Sequence, residues 1–141
     1  MGNRHQQRKV TELSRMLTYI LGYRPDEFGL VPSENGFVGT KDLLKALHEE
    51  NGWRYVRHSH INEMLMGRDR ELFETENARI RSRERRWVLN NYSDLPLPGL
   101  LYTPIRKRAH PVAMERGLKA EENSYLALST DREMALRLGR R

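Results

Sequence analysis

Arg79, Arg81, Arg83 and Arg85 occupy alternate positions of one short stretch, with Arg86 beside the last of them. In a strand this spacing places guanidinium groups on one face, an arrangement suited to tracking a row of phosphates. The competing reading is a solvated edge strand blunted by charge against self-association. Arg57, with Arg54, His58 and His60 around it, could extend the basic surface. Trp53, Tyr55 and Trp87 lie near enough in sequence to stack bases, although core packing is the commoner use of such rings.

Other residue types narrow the chemistry. His58 and His60 have no third ligand at a usable spacing, so no metal is expected. The chain has no cysteine, which removes disulfides, thiolate zinc sites and a cysteine nucleophile. Glu49-Glu50 and Glu121-Glu122 read as solvated surface, and Ser129 lacks the flanking glycines of a nucleophile elbow. The net charge of +6 and a pI near 9.9 favour a polyanionic partner. No apolar run approaches the ~20 residues of a membrane span, and residues 1–9 lack the apolar stretch of a signal peptide. A cytoplasmic protein with no membrane partner is the expectation.

These residues need a frame. Residues 1–10 are polar and basic and read as a frayed arm. Thr11 can cap a helix whose Leu13, Met16, Leu17, Ile20 and Leu21 form one buried face, with Gly22 as a left-handed stop before Pro25. Phe37-Val38 reads as a short strand. Thr40 can cap a second helix, through Leu43, Leu44 and Leu47, ending near Asn51-Gly52. Ser59 can cap a third, through Ile61, Met64 and Leu65, ending near Gly67. Strands over about Leu72–Thr75 and Ala78–Leu89 flank the turn Glu76-Asn77. That order is the order of a winged helix.

Residues 90–99 have the composition of a linker. Beyond it, Leu100–Tyr102 and Tyr125–Leu128 read as strands, and Arg108–Glu115 as a helix closed by Gly117. Asp131 can cap a last helix reaching Leu138, with Met114, Met134 and Ala135 at core positions. The fold class expected is α+β: a winged-helix domain over 11–89, then a smaller α+β segment over 100–141.

The stretch from Leu13 to Leu30 resembles the opening of the NAD-dependent RNA 2′-phosphotransferases of the KptA type, whose pattern is L-S-x-x-L-x-Y-x-L-R-H-x-P-x-x-x-G-L. Asn35-Gly36-Phe37-Val38 and Asp42–Leu47 continue the likeness. After the linker, Leu100-Leu101-Tyr102, Glu115–Leu118, Tyr125–Asp131 and Ala135–Arg141 are similar to the start of that family's ADP-ribosyltransferase-like domain. The resemblance implies RNA as partner, NAD as co-substrate and transfer of an internal RNA 2′-phosphate. In that reaction the phosphate attacks the nicotinamide-bearing ribose carbon and expels nicotinamide. The ribose 2″-hydroxyl then takes the phosphoryl group and frees the RNA hydroxyl.

The same resemblance locates departures. Gly22 and Tyr23 stand where the pattern has Arg-His, Leu72 where it has the arginine of D-K-x-R-F, Thr103 where it has the histidine of L-Y-H-G-T, and Ala127 where a histidine precedes L-S. Ile80–Trp87 follows I-R-A-x-Q-G-H-S without its Gly-His. Arg141 alone matches a catalytic position, with Arg24 and Arg70 as neighbours that could substitute by a shift. Thr103, Ser129 and Arg141 fall on cofactor-binding positions. The expectation is a family member with impaired catalysis and retained RNA binding, whose segment 100–141 is a partial transferase domain. Two alternatives stay open: an active transferase using shifted arginines, and a non-enzymatic winged-helix regulator that binds nucleic acid.

Overall fold

A computed structural model describes residues 2–88, 99–119 and 128–140. The chain divides into two compact units, Met1–Leu89 and Asn90–Arg141, and has the α+β character expected.

The first unit is built on α1, Gly2–Gly22. Leu13, Leu17, Ile20 and Leu21 recur at helical spacing and are buried, with Met16 packed against them. Their partners come from α2 (Thr40–His48), α3 (His58–Leu65) and the sheet: Leu43, Leu47, Ile61, Met64, Phe73 and Ile80. Removing a side chain such as Leu17 from this packing would cost about 2–5 kcal/mol.

Residues 2–10 are helical rather than frayed, and Thr11 is no cap: its hydroxyl donates to the Gln7 carbonyl at 2.9 Å. Arg, Gln and Lys propagate a helix readily once the following turns exist. Gln6 Nε2 also ties the extension to Glu63 on α3 at 3.0 Å. At the other end Gly22 is not left-handed. The helix closes instead through the amides of Tyr23 and Arg24, both on the Tyr19 carbonyl at 3.0 Å.

Two further caps differ from expectation. Gly39 is the N-cap of α2, while Thr40 is buried and donates its amide to the Ala78 carbonyl at 3.0 Å. Arg57, not Ser59, is the N-cap of α3. His60 Nδ1 accepts the Arg57 amide at 2.9 Å while the His60 amide donates to the Arg57 carbonyl at 3.0 Å. This reciprocal pair satisfies two groups that a helix start leaves open.

The sheet is antiparallel with the order β1-β3-β2, formed by β1 (Val38–Gly39), β2 (Phe73–Glu76) and β3 (Arg79–Ser82). Ile80 pairs with both Val38 and Thr75. The hairpin turns at Asn77 and Ala78, with φ of 47° and 61°, the pair of positive values that suits the twist of a tight hairpin. β3 is much shorter than the sequence suggests. After Ser82 its hydroxyl donates to the Glu84 carbonyl at 2.8 Å, and the chain bends away toward the end of α1.

In the second unit, α4 (His110–Arg116) closes at Gly117 with φ 76°, and α5 (Arg132–Gly139) is capped by the Asp131 carboxylate, which accepts the Glu133 amide at 3.0 Å. The expected strand at Leu100–Tyr102 reduces to one antiparallel bridge between Tyr102 and Ser129. Ala135 is buried as expected, whereas Met114 is 75% exposed because α4 buries no residue. The expected strand Tyr125–Leu128 lies outside the described residues except for Leu128.

Candidate active site and nucleic-acid interface

The arginine row is not a free charged face. β3 ends at Ser82, so only Arg79 and Arg81 share a strand face. The register sets each opposite a carboxylate: Glu76 faces Arg79 and Glu74 faces Arg81. The resulting ion pairs span 3.4 Å and 3.2 Å, and Arg83 lies 3.8 Å from Glu74. Arg81 is the most committed. Its Nη1 donates to the Asn35 carbonyl at 2.7 Å, its guanidinium stands 4.5 Å from the Phe37 ring centre, and its Nε is buried without a partner among the described residues.

Arg85 lies across Gly36 and donates to the Ser82 carbonyl at 2.7 Å. A Cβ at Gly36 would approach Arg85 Nε to 2.7 Å, and its φ of 86° also favours glycine. Arg81 and Arg85 therefore brace the Asn35-Gly36 turn. Arg86 differs: among the described residues its side chain has no hydrogen bond or ion pair.

What holds Arg86 is its main chain. Its amide donates to the Gly22 carbonyl at 2.7 Å, and the Trp87 indole donates to the Leu21 carbonyl at 2.7 Å. Both carbonyls belong to the last turn of α1, where intrahelical partners run out. Gly22 permits the approach, since a Cβ there would lie 3.1 Å from the Glu84 carbonyl oxygen and 3.2 Å from the Ser82 hydroxyl oxygen.

Two adjoining hollows result, sharing Thr18, Tyr23 and Leu72. The larger, ≈ 650 Å³, runs along α1 from Ser14 and Arg15 to Tyr23 and is bounded by the single turn Arg68–Leu72. The smaller, ≈ 160 Å³, lies between Tyr23, Leu72, Arg83 and Arg86, with Glu71 and Glu84 also on its wall. Of the two arginines that could shift toward this place, Arg24 is engaged by Asp26 through Nε at 3.1 Å and Nη2 at 3.2 Å. Arg70 does not line either hollow, whereas Arg68 lines the larger.

The electrostatics fit this division. The Arg24 fork holds the Asp26 carboxyl below its usual range and raises its own affinity for the proton. The Tyr19 phenol, donating to Glu27 Oε2 at 2.6 Å, is raised above its ordinary value, chiefly by that hydrogen bond.

Residues 7–141 match the model of the family described as RNA 2'-phosphotransferase, Tpt1 / KptA family. The chain belongs to this family. It is 30% identical to a probable RNA 2'-phosphotransferase of Acetivibrio thermocellus, over 93% of this chain and 73% of that protein. A Pyrococcus furiosus protein of the same description is 32% identical over 92% and 71% of the two chains. One from Streptomyces griseus is 29% identical over 96% and 76%.

Within the KptA pattern, positions that are far apart in sequence meet in the structure. Tyr23 and Leu72, at the places of the pattern's Arg-His and of its later arginine, share both hollows. Arg86, at the histidine of Q-G-H-S, joins them in the smaller one. Arg57 is exposed at the start of α3, away from the hollow-lining set. In the second unit the bridge brings Tyr102, and with it the half-buried Thr103, beside Ser129. The Ser129 hydroxyl accepts the Asp131 amide at 3.0 Å and donates to the Asp131 carbonyl at 2.9 Å. Arg141 and Ala127 lie outside the described residues. No set of three His, Asp or Glu able to hold a metal occurs among the described residues, and none of their helices is long and apolar enough to cross a membrane.

Sequence reasoning named Arg86 with the row but did not set it apart from the arginines that are paired. The alternation of Glu74 and Glu76 on the facing strand marks Arg81 and Arg79 as the paired members; that Arg86 stands apart follows from the end of β3 at Ser82.

Proposed function

We propose that this chain is an RNA 2′-phosphotransferase-type protein that binds RNA carrying an internal 2′-phosphate, with slow turnover against NAD as co-substrate. The observation that carries the reading is Arg86, whose side chain has no partner among the described residues, beside Tyr23, Leu72 and Arg83 in the smaller hollow. A dianionic phosphate needs fixed positive charge, and a guanidinium fork supplies it with two parallel donors. Arg86 is the cation offered there, Arg83 a second one shared with Glu74, and the Tyr23 phenol a neutral donor at the edge.

Slow turnover follows from the same inventory. Leu72 offers no donor where the family pattern has an arginine, and Glu71 and Glu84 place negative charge on the wall. A lost donor to a developing charge costs about 10²–10³ in rate. NAD is the co-substrate of the family reaction. Thr103 and Ser129 are the described residues that would contact it, and the Ser129 hydroxyl is already committed to Asp131.

The fold reading supports the function. Residues 11–89 are read as a winged helix, since helix, strand, two helices and a two-stranded ribbon occur in that order. Residues 90–99 are read as a linker and 100–141 as part of an ADP-ribosyltransferase-like domain. The family match across both units favours this over a stand-alone nucleic-acid regulator. A cytoplasmic location agrees with an RNA substrate.

The test pairs binding with turnover. RNA with one internal 2′-phosphate should bind more tightly than the same RNA without it, and Arg86→Gln should erase the difference. Nicotinamide release with NAD should stay near the blank. Equal affinity for the two RNAs would remove the hollow as a phosphate site, and robust release would remove the impairment.

A further inference from the structure

Residues 2–10, because they are helical, carry a second set of groups into register. His5, Lys9 and Leu13 follow at intervals of four and line one hollow of ≈ 350 Å³ together with Tyr55 and His60. The Lys9 ammonium stands 5.1 Å from the Tyr55 ring centre. Behind Tyr55, Trp53 stacks at 6.3 Å with the planes 21° apart, and His60 meets the ring edge-on at 5.5 Å.

The pile is not ordinary core. Trp53 packs partly against the core, but Tyr55 is not a member of it and is 37% exposed. His60 is fixed by the Arg57 amide, so the edge that orients Tyr55 is itself held. Lys9 is the cation on the hollow itself; Arg4, Arg54 and Arg57 flank its lining residues in sequence, and all four are exposed and in no ion pair among the described residues. Glu63, which lines the hollow, accepts from Gln6, and Glu12, near enough to raise the Tyr55 phenol together with burial, is paired with Arg8 at 3.1 Å.

We infer that this hollow is a separate binding site for an unpaired nucleotide of RNA, its base lying on the Tyr55 ring and its phosphates on Lys9, Arg54 and Arg57. Lys9 is the placeholder of that site. On its flexible stem the ammonium covers the ring while no base is there; an entering base takes the ring face and leaves the ammonium beside the adjoining phosphate. A peptide rich in carboxylates would use the cations but leave the aromatic pile idle, so the chemistry selects a nucleic acid chain. Of the preceding reading the inference needs only that RNA is the partner; it involves neither the 2′-phosphate nor Arg86.

The probe is a fluorescently labelled, unstructured oligouridylate without 2′-phosphate, followed by anisotropy with the full chain. Tyr55→Leu should weaken binding about tenfold or more, the scale of losing one stacked base. Lys9→Glu, at an exposed position that cannot disturb the core, should weaken it comparably. It should also reduce the slope of log affinity against log salt by about 0.7 for each phosphate no longer neutralised. Affinities of Tyr55→Leu and Lys9→Glu within twofold of wild type would overturn the site, as would absence of oligouridylate binding. Competition by an oligoglutamate as strong as by the RNA would overturn it too. If Arg86→Gln fails to alter discrimination for the 2′-phosphate while Tyr55→Leu still weakens the oligouridylate, the earlier reading alone fails.

Discussion

The amide of Arg86 donates a 2.7 Å hydrogen bond to the carbonyl of Gly22. That bond fixes where the arginine row presents a guanidinium with no partner among the described residues. Two elements from opposite ends of the first unit thereby meet: the last turn of α1 and the segment leaving β3. The closeness depends on the absence of a side chain at Gly22.

Gly22→Val should destabilise the first unit by about 1–3 kcal/mol, the usual cost of forcing extra carbons into a filled contact. Urea unfolding should show the lower midpoint. Amide exchange at Arg86 should accelerate more than exchange at Ile80; equal acceleration would mean that the contact does not bear on the exit segment.

Ala78→Gly should act in the other direction. Ala78 holds φ of 61°, where a Cβ costs about 1–2 kcal/mol and glycine costs nothing sterically. A stabilisation near 1 kcal/mol would raise Tm by about 4–8 °C for a unit of this size. An unchanged Tm would argue against the hairpin geometry.

Arg81 and Arg86 should separate stability from binding. Arg81→Ala breaks the hydrogen bond to Asn35, the pair with Glu74 and the stack on Phe37, and should cost about 1–3 kcal/mol. Arg86→Gln keeps the main-chain bond and should leave the unfolding midpoint within about 0.5 kcal/mol of wild type. A large loss of stability in Arg86→Gln would show that its side chain is structural.

Asp26 provides a pH test. Its carboxyl is held below the ordinary 3.8, first by the hydrogen bond from Arg24. A depressed folded value means that the pair contributes stability above the unfolded value and loses it as pH falls through the folded one. In a carbon-detected titration, Arg24→Gln should move the Asp26 midpoint up toward 3.8. No movement would mean that the fork does not hold Asp26 in solution.

Much of the frame was legible because it rests on periodicity. The spacing of Leu13, Leu17, Ile20 and Leu21 announced the buried face of α1, and Asp131 announced the start of α5. Caps were less legible. Thr11, Thr40 and Ser59 have the right side chains, but the distant Ala78 carbonyl takes the Thr40 amide beside the Gly39 cap, a local exchange between Arg57 and His60 starts α3, and residues 2–10 continued a helix already nucleated. The arginine row was misjudged for a related reason. Read along one strand it is uncompensated charge; read across the hairpin, Glu74 and Glu76 engage three of its five arginines. Pairing across strands is a two-body property that a single run of letters does not display. The meeting of Tyr23, Leu72 and Arg86 is a three-body property of the same kind.

The contact under Gly22 also bears on which side chains position 22 can accept. An arginine restored at position 22, the letter of the family pattern, would press its Cβ against the Glu84 carbonyl and the Ser82 hydroxyl. The turn that positions Arg86 would have to give by a few tenths of an ångström to admit it. Positive charge therefore reaches this hollow with less crowding from the strand side, where Arg83 and Arg86 already line it, than from the end of α1.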